Sequence, residues 1–192
     1  PLFFCWLLNV RGSDVDYTPL VLSNLIVDAT AEKLEWFVDA DKIPADIKTK
    51  LQADVDFYAP SDLETRMQTL AKKAKKSGAP VMLDFQRSPI WFKNAIEDNG
   101  ADVKEYKDPC IDPKAQKTKA EQQAIREAHI EDGVALVKFL RWLDEDTSNA
   151  LSEMDVVDQL EKFRQEGSHY KENSFPTISG FADNGAVIHY RA

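Results

Sequence analysis

Between residues 55 and 106 of this 192-residue chain, short apolar runs alternate with amphipathic stretches in the order strand, helix, strand, helix, strand. The runs 55–59, 81–85 and 103–106 are rich in Val, Leu, Met and aromatic residues and are bounded by Asp, Gly, Pro or Lys. The stretches 63–76 and 90–99 carry apolar residues at helical spacing. Consecutive strands joined through a helix run the same way and need right-handed βαβ crossovers, so this order predicts an α/β fold, a mainly parallel or mixed sheet with flanking helices. Before it, 3–10, 20–27 and 34–38 read as strands and 44–53 as a helix; the short polar links among the first strands predict antiparallel neighbours.

Local punctuation supports these limits. Ser61 and Glu64 have capping-box spacing at the start of the helix 63–76, and Ser77-Gly78-Ala79-Pro80 closes it with a residue free to turn left-handed and then one that cannot continue a helix. The run Lys72-Lys73-Ala74-Lys75-Lys76 reads as a solvated helix end, favourable against the negative pole of the helix dipole. Two Asp-Pro pairs in 107–113 mark a linker or entry loop. Beyond them Thr118 and Glu121 form a capping box for a long helix whose Ala120, Ala124, Ile125, Ala128, Leu136, Phe139, Leu140 and Leu143 predict one buried face. A further helix, about 153–165, is capped by Ser152 with Asp155 three residues on and stops at Gly167. The tail predicts a hairpin, with strands at 175–180 and 186–190 around Asp183-Asn184-Gly185. The texture change near 107–113 divides the chain into 1–108 and 109–192.

Charge and cysteine content exclude several functions. With 24 basic against 33 acidic residues the net charge is −9, which argues against nucleic-acid binding, since phosphate neutralisation needs a surplus of Lys and Arg on one face. Cys5 and Cys110 are too few and too far apart for a disulfide framework or a thiolate metal site and read as free, partly buried thiols. No apolar run approaches the roughly 18 residues of a membrane span. Residues 1–10 are apolar but lack a basic start and a small-residue cleavage site, so they read as a buried strand rather than a secretory leader. A reducing, cytoplasmic setting is expected.

Chemistry is sparse in the pattern. There is no phosphate-cradling glycine loop, Cys-x-x-Cys, His-Glu-x-x-His or Gly-x-Ser-x-Gly. The histidines are the natural acid-base candidates because imidazole titrates near neutrality. His129 lies within the long helix beside Glu131 and Asp132, and His169 in a polar loop; both read as structural or solvated. His189 closes an apolar run just after a tight turn, where a side chain can point into a cleft. A dinuclear metal centre needs several oxygen ligands and a His in one cavity, and the acids here are scattered. The turn Arg11-Gly12-Ser13-Asp14 reads as structural, Gly12 allowing the reversal.

Four ordered motifs nonetheless carry a resemblance. Cys5-Trp6-Leu7-Leu8-Asn9-Val10-Arg11-Gly12-Ser13-Asp14-Val15 followed by Pro19 resembles a strand and turn in the middle domain of Xaa-Pro aminopeptidases (aminopeptidase P), of the creatinase/prolidase-type metallopeptidases. Lys119-Ala120-Glu121 with Arg126-Glu127-Ala128-His129-Ile130-Glu131-Asp132-Gly133-Val134-Ala135-Leu136 is similar to the helix that opens their catalytic domain. Glu161-Lys162-Phe163-Arg164 with Ser174-Phe175-Pro176-Thr177-Ile178-Ser179, then Asn184-Gly185-Ala186-Val187-Ile188-His189-Tyr190, complete the order. The resemblance implies a creatinase N-terminal-like α/β domain at 1–108, then the first part of a pita-bread α+β catalytic domain at 109–192. It implies an enzyme that removes the N-terminal residue from peptides with proline second, and a substrate-binding, charge-stabilising role for His189. It also implies two divalent ions, usually Mn²⁺, held in the family by two Asp, one His and two Glu that follow the His-Tyr motif. Those ligands are not expected in this segment, which alone is expected to be inactive and without metal. Homodimers are common in the family. Prolidase and creatinase share the fold and are the near alternatives, and a metal-free binding module is the alternative of another class.

Overall fold

The computed structural model describes residues 2–146 and 150–191. The chain forms two compact units, Pro1–Val15 with Pro19–Gln116, and Asp16–Thr18 with Lys117–Ala192.

The first unit is built on two small sheets. In one, β1 (Asn24–Asp28) pairs antiparallel with β2 (Lys33–Phe37), which pairs parallel with β3 (Val55–Tyr58). The reversal between β1 and β2 is fixed by Asp28, whose carboxylate accepts the backbone N–H groups of Thr30 and Ala31 at 3.0 and 3.1 Å. The parallel partner is reached through α2 (Ala45–Leu51), the expected crossover. In the other sheet β4 (Val81–Leu83) and β5 (Val103–Glu105) pair parallel across α4 (Ile90–Glu97), with α3 (Leu63–Ser77) preceding them. The mixed α/β architecture and the antiparallel opening pair are those expected, but the strands divide between two sheets: β3 and β4 do not share one, so α3 connects the sheets instead of making the expected βαβ crossover.

Two cores hold this unit. Cys5, Leu8, Val10, Val21, Trp36, Val38 and Val55 form one, and the Trp36 indole N–H donates to Ser23 Oγ at 2.9 Å. Met67, Ala71 and Ala74, spaced four and three apart on one stripe of α3, meet Ile96 and Ala101 in the other. The Arg66 guanidinium of α3 grips the Glu35 carboxylate of β2 through two nitrogens and lies 4.8 Å from the Tyr58 ring of β3. Gly78 ends α3 at φ 69°, as its left-handed freedom predicts.

Three details of this unit differ from expectation. Residues 3–10 contribute α1 (Leu2–Leu7) instead of a strand. A short apolar run fits a buried strand or a buried helix equally by periodicity, and here Cys5 and Leu8, three apart, are the buried pair before Asn9 turns the chain at φ 51°. Ser61 makes no capping box, because Pro60–Asp62 is a 3₁₀ turn that feeds directly into α3 with Asp62 at the N-cap. Part of the expected linker is α5 (Ile111–Ala115), where Pro113 occupies the first turn and so forfeits no intrahelical bond. Cys110 precedes it, partly buried, its backbone N–H bonded to Asp108 Oδ1 at 2.8 Å. Both cysteines are free.

The second unit is helical. In α6 (Lys119–Glu145) and α7 (Glu153–Gln165) both expected capping boxes are complete, Thr118 with Glu121 and Ser152 with Asp155. The two helices pack together, with Asp132 bonded to Arg164 at 2.7 Å and Lys138 paired with Glu166. The expected buried face of α6 is not buried. Ala135 is its one buried residue among those described, while Ile125, Leu136, Leu140 and Leu143 are exposed. A helix buries only what a neighbour covers, and the Asp132–Arg164 and Lys138–Glu166 pairs place the end of α7 against the turns that flank Ala135.

The tail also departs from its pattern. Residues 175–191 hold no strand; Ala182–Ala186 forms a 3₁₀ turn instead of the Asn-Gly hairpin. A lone two-stranded hairpin is marginal in water. Here the donors around it go to one carboxylate: Phe181 N–H and the Asn184 amide both reach Glu153 at the start of α7.

Candidate functional site

The candidate site lies wholly within the second unit. Ser152 and Asp155 fix the first turn of α7, which places Met154, Val157 and Glu161 on one face at three- and four-residue spacings. That face forms one wall of an open cleft of about 450 Å³. Phe175 and Ile178, with Tyr17, add apolar surface, and His189, Tyr190, Arg191 and Asn173 add polar groups. The cleft is open and mixed in lining, with Met154, Val157, Phe175, Pro176 and Ile178 as its apolar part.

His189 lines this cleft, exposed and at φ 58°. The expectation that it closes a strand fails, since it lies in a turn after the 3₁₀ segment. Its neighbour Tyr190 donates its hydroxyl to Glu153 Oε2 at 2.5 Å and accepts the Asn184 amide at 2.9 Å. The same carboxylate takes Phe181 N–H at 2.6 Å on Oε1. Glu153 is consequently held below its ordinary 4.5, first by the Tyr190 hydroxyl and then by Phe181 N–H, with Asn184 adding to both. Tyr190 is pushed up from its ordinary 10.0, chiefly because its proton is shared with that carboxylate. In Asn173, Oδ1 is buried and has no hydrogen-bond partner among the described residues, an acceptor at the margin of the cleft.

The other histidines stay outside this cleft. His129 is exposed on α6 with Nδ1 2.9 Å from the Ile125 carbonyl. His169 pairs with Glu131 at 2.8 Å, and Ser168 Oγ donates to the same carboxylate oxygen at 3.0 Å. This Ser-His-Glu trio is no relay, since serine and carboxylate address the same Nδ1 and the imidazole is 76 % exposed. Among the described residues no group of three or more His, Cys, Asp or Glu side chains is placed to hold a metal ion, so these residues do not fit a dinuclear centre.

Asn173 and Tyr17, which line the cleft, and Glu153, which holds Tyr190, carry no signal in the sequence pattern. Glu153 is one acid among many at a helix start, and no spacing ties it to residues 181 and 190. Only the folded chain brings these groups together.

Two known families match the chain in succession. Residues 4–121 match the family described as the creatinase/prolidase N-terminal domain, and residues 123–192 match metallopeptidase family M24. A protein of Sordaria macrospora named "Probable Xaa-Pro aminopeptidase P" is 35 % identical over 97 % of this chain, and a namesake in Aspergillus niger is 32 % identical over the same share. In each case the chain spans 31 % of the relative's length. The crystal structure of an X-prolyl aminopeptidase from Caenorhabditis elegans, described as a cytosolic enzyme with a di-nuclear active site, superposes with a TM-score of 0.79 at 24 % identity, covering 95 % of this chain and 32 % of that one.

Proposed function

The chain belongs to the creatinase/prolidase N-terminal domain family and runs on into metallopeptidase family M24, and from that membership we propose that it is part of a metal-dependent aminopeptidase that hydrolyses the bond between an N-terminal residue and a following proline. The observation that carries the reading to a site is His189, which lines the cleft on α7 inside the stretch matched to the peptidase family. An imidazole N–H aimed at the scissile carbonyl stabilises charge where it develops, and apolar lining residues such as Val157 and Ile178 suit a proline ring. We assign residues 1–108 to a creatinase-type domain and 109–192 to the start of the catalytic domain.

Two divalent ions, with Mn²⁺ as the first choice, would supply the hydrolytic nucleophile. No described cluster fits them, so their ligands are assigned to the rest of a longer protein, in keeping with the 31 % of its relatives' length that this chain spans. A cytoplasmic setting is supported by the two free cysteines and by the cytosolic description of the worm enzyme; no helix among the described residues is long and apolar enough to cross a membrane.

The test is turnover by the full-length protein. It is expected to cleave an Xaa-Pro-Xaa tripeptide well and an Xaa-Pro dipeptide poorly; the reverse preference identifies a prolidase and overturns the assignment. Replacing His189 with Ala is expected to lower kcat/KM by about 10²–10³, the usual loss for one positioned donor, with little change in unfolding midpoint.

A further inference from the structure

We propose that Glu153 is the positioning residue for His189: its carboxylate clasps both ends of the 181–190 turn and thereby fixes where the imidazole stands in the cleft. The inference rests on the catalytic reading of His189 and extends it to a residue that touches neither substrate nor metal in that reading.

Geometry carries the argument. The turn contains two non-glycine residues with left-handed backbone, Ala182 at φ 51° and His189 at φ 58°. Such conformations persist only where the surroundings over-determine them. Each lies next to a residue that Glu153 holds: Phe181, just before Ala182, donates its N–H to Oε1 at 2.6 Å, and Tyr190, just after His189, donates its hydroxyl to Oε2 at 2.5 Å. Between them the Asn184 amide reaches both carboxylate oxygens, at 3.1 and 3.3 Å, and also the Tyr190 oxygen at 2.9 Å. The backbone bonds that flank the 3₁₀ segment are local, Asn184 N–H to Phe181 O and Val187 N–H to Asn184 O at 3.1 Å and Tyr190 N–H to Val187 O at 3.3 Å, and none of these joins one end of the turn to the other. One side chain thus ties down both ends and the middle of a segment of ten residues. Glu153 is itself anchored, because it occupies the first position of α7 inside the Ser152–Asp155 box. The same helix lines the cleft with Met154 and Val157, so the turn is referenced to the wall that a substrate would touch.

The carboxylate is charge-matched to this task. Ionised, it only accepts hydrogen bonds, and every partner named here donates. Glutamine in its place keeps one acceptor for Phe181 N–H and turns its amide towards the Tyr190 oxygen, so it should preserve most of the clasp. Alanine abolishes it.

The experiment is a double-mutant cycle on the metal-loaded full-length protein, read by steady-state kinetics and by hydrogen exchange of the peptide spanning 181–190. Glu153→Ala is expected to lower kcat about tenfold with KM within about twofold, and to have almost no effect when His189 is already Ala, since contacting or coupled groups are non-additive. Glu153→Gln should recover kcat to within about threefold of the parent, and Tyr190→Phe, which deletes one of the clasped groups, should fall between. Exchange at 181–190 should quicken at least tenfold in Glu153→Ala and little in Glu153→Gln. An equal kcat loss in both His189 backgrounds, or none in either, overturns the positioning role. Should Glu153→Ala fold poorly, the Gln and Phe variants give the same comparison with most of the clasp intact. If His189→Ala itself leaves kcat unchanged, the catalytic reading falls separately; exchange then decides for Glu153, unchanged protection of 181–190 overturning its hold on the turn and lost protection upholding it.

Discussion

Gly12 shows how one side chain's absence can fix a path. A Cβ there would lie 2.5 Å from Val21 Cγ2 and 2.8 Å from the Leu20 carbonyl oxygen, and Val21 belongs to the core of the first unit. Gly12→Ala is therefore expected to destabilise that unit by about 1–3 kcal/mol, the range for overpacking a filled interior, read by chemical denaturation. The structural role expected for this turn from its sequence rests on close approach, and Asp14 adds to it by accepting Leu22 N–H at 2.8 Å. The Glu153–Tyr190 bond makes a second prediction at this scale. Glu153 is lowered in the folded state, so the stability it contributes is present above its ordinary 4.5 and is lost as pH falls through the lowered folded value. Tyr190 is raised, so its contribution is present below 10.0 and is lost as pH climbs through the raised one. Protection of the 181–190 peptide should be flat from pH 5 to 9 and decline on both sides, the acid limb disappearing in Glu153→Gln. The groups facing this carboxylate are Tyr190, Asn184 and Phe181 N–H, none of which changes charge on the acid side.

Elements were legible where local chemistry and tertiary packing agree. The strands and helices of residues 33–105 follow from β-branched and aromatic runs separated by amphipathic stretches, and the structure places them within a few residues of expectation, although α3 passes between the two sheets instead of crossing over within one. The capping boxes of α6 and α7 need only four residues each and are complete. Thr118→Ala should cost about 1 kcal/mol, the usual value for an N-cap oxygen, and should fray the first turn of α6 in amide exchange. Three readings depended on what lies across from the segment, and those failed. An apolar run at 3–10 satisfies a buried helix as well as a buried strand; the Asn-Gly turn yields to Glu153, which claims the donors of Phe181 and Asn184; the α6 stripe has a neighbour along only part of its length. The candidate cleft was half legible for the same reason. His189 could be named from its motif, whereas Glu153 and Asn173 enter only through distances between residues far apart in the chain.

At the scale of the molecule, the two units differ in how they bury apolar surface. The first has two closed cores, while the second leaves Val137, Phe181 and Ile188 at 68, 81 and 85 % exposure. Exposed apolar side chains that join into one patch mark an interaction surface or an aggregation liability. The 192-residue chain in isolation is thus expected to bind a hydrophobic dye and to lose solubility as it is concentrated, and Val137→Lys with Leu140→Lys should reduce both; a dye-silent parent chain removes the expectation. The sulfur chemistry points the other way. Burial, helped by the nearby Asp108 charge, pushes the Cys110 thiol up to about 11, so at neutral pH about one molecule in ten thousand carries the reactive thiolate. Cys5 is packed inside a core. A chain with two unpaired cysteines can therefore pass through an oxidising purification with both thiols reduced, whereas a burst of peroxide reaches the exposed thioethers of Met82 and Met154.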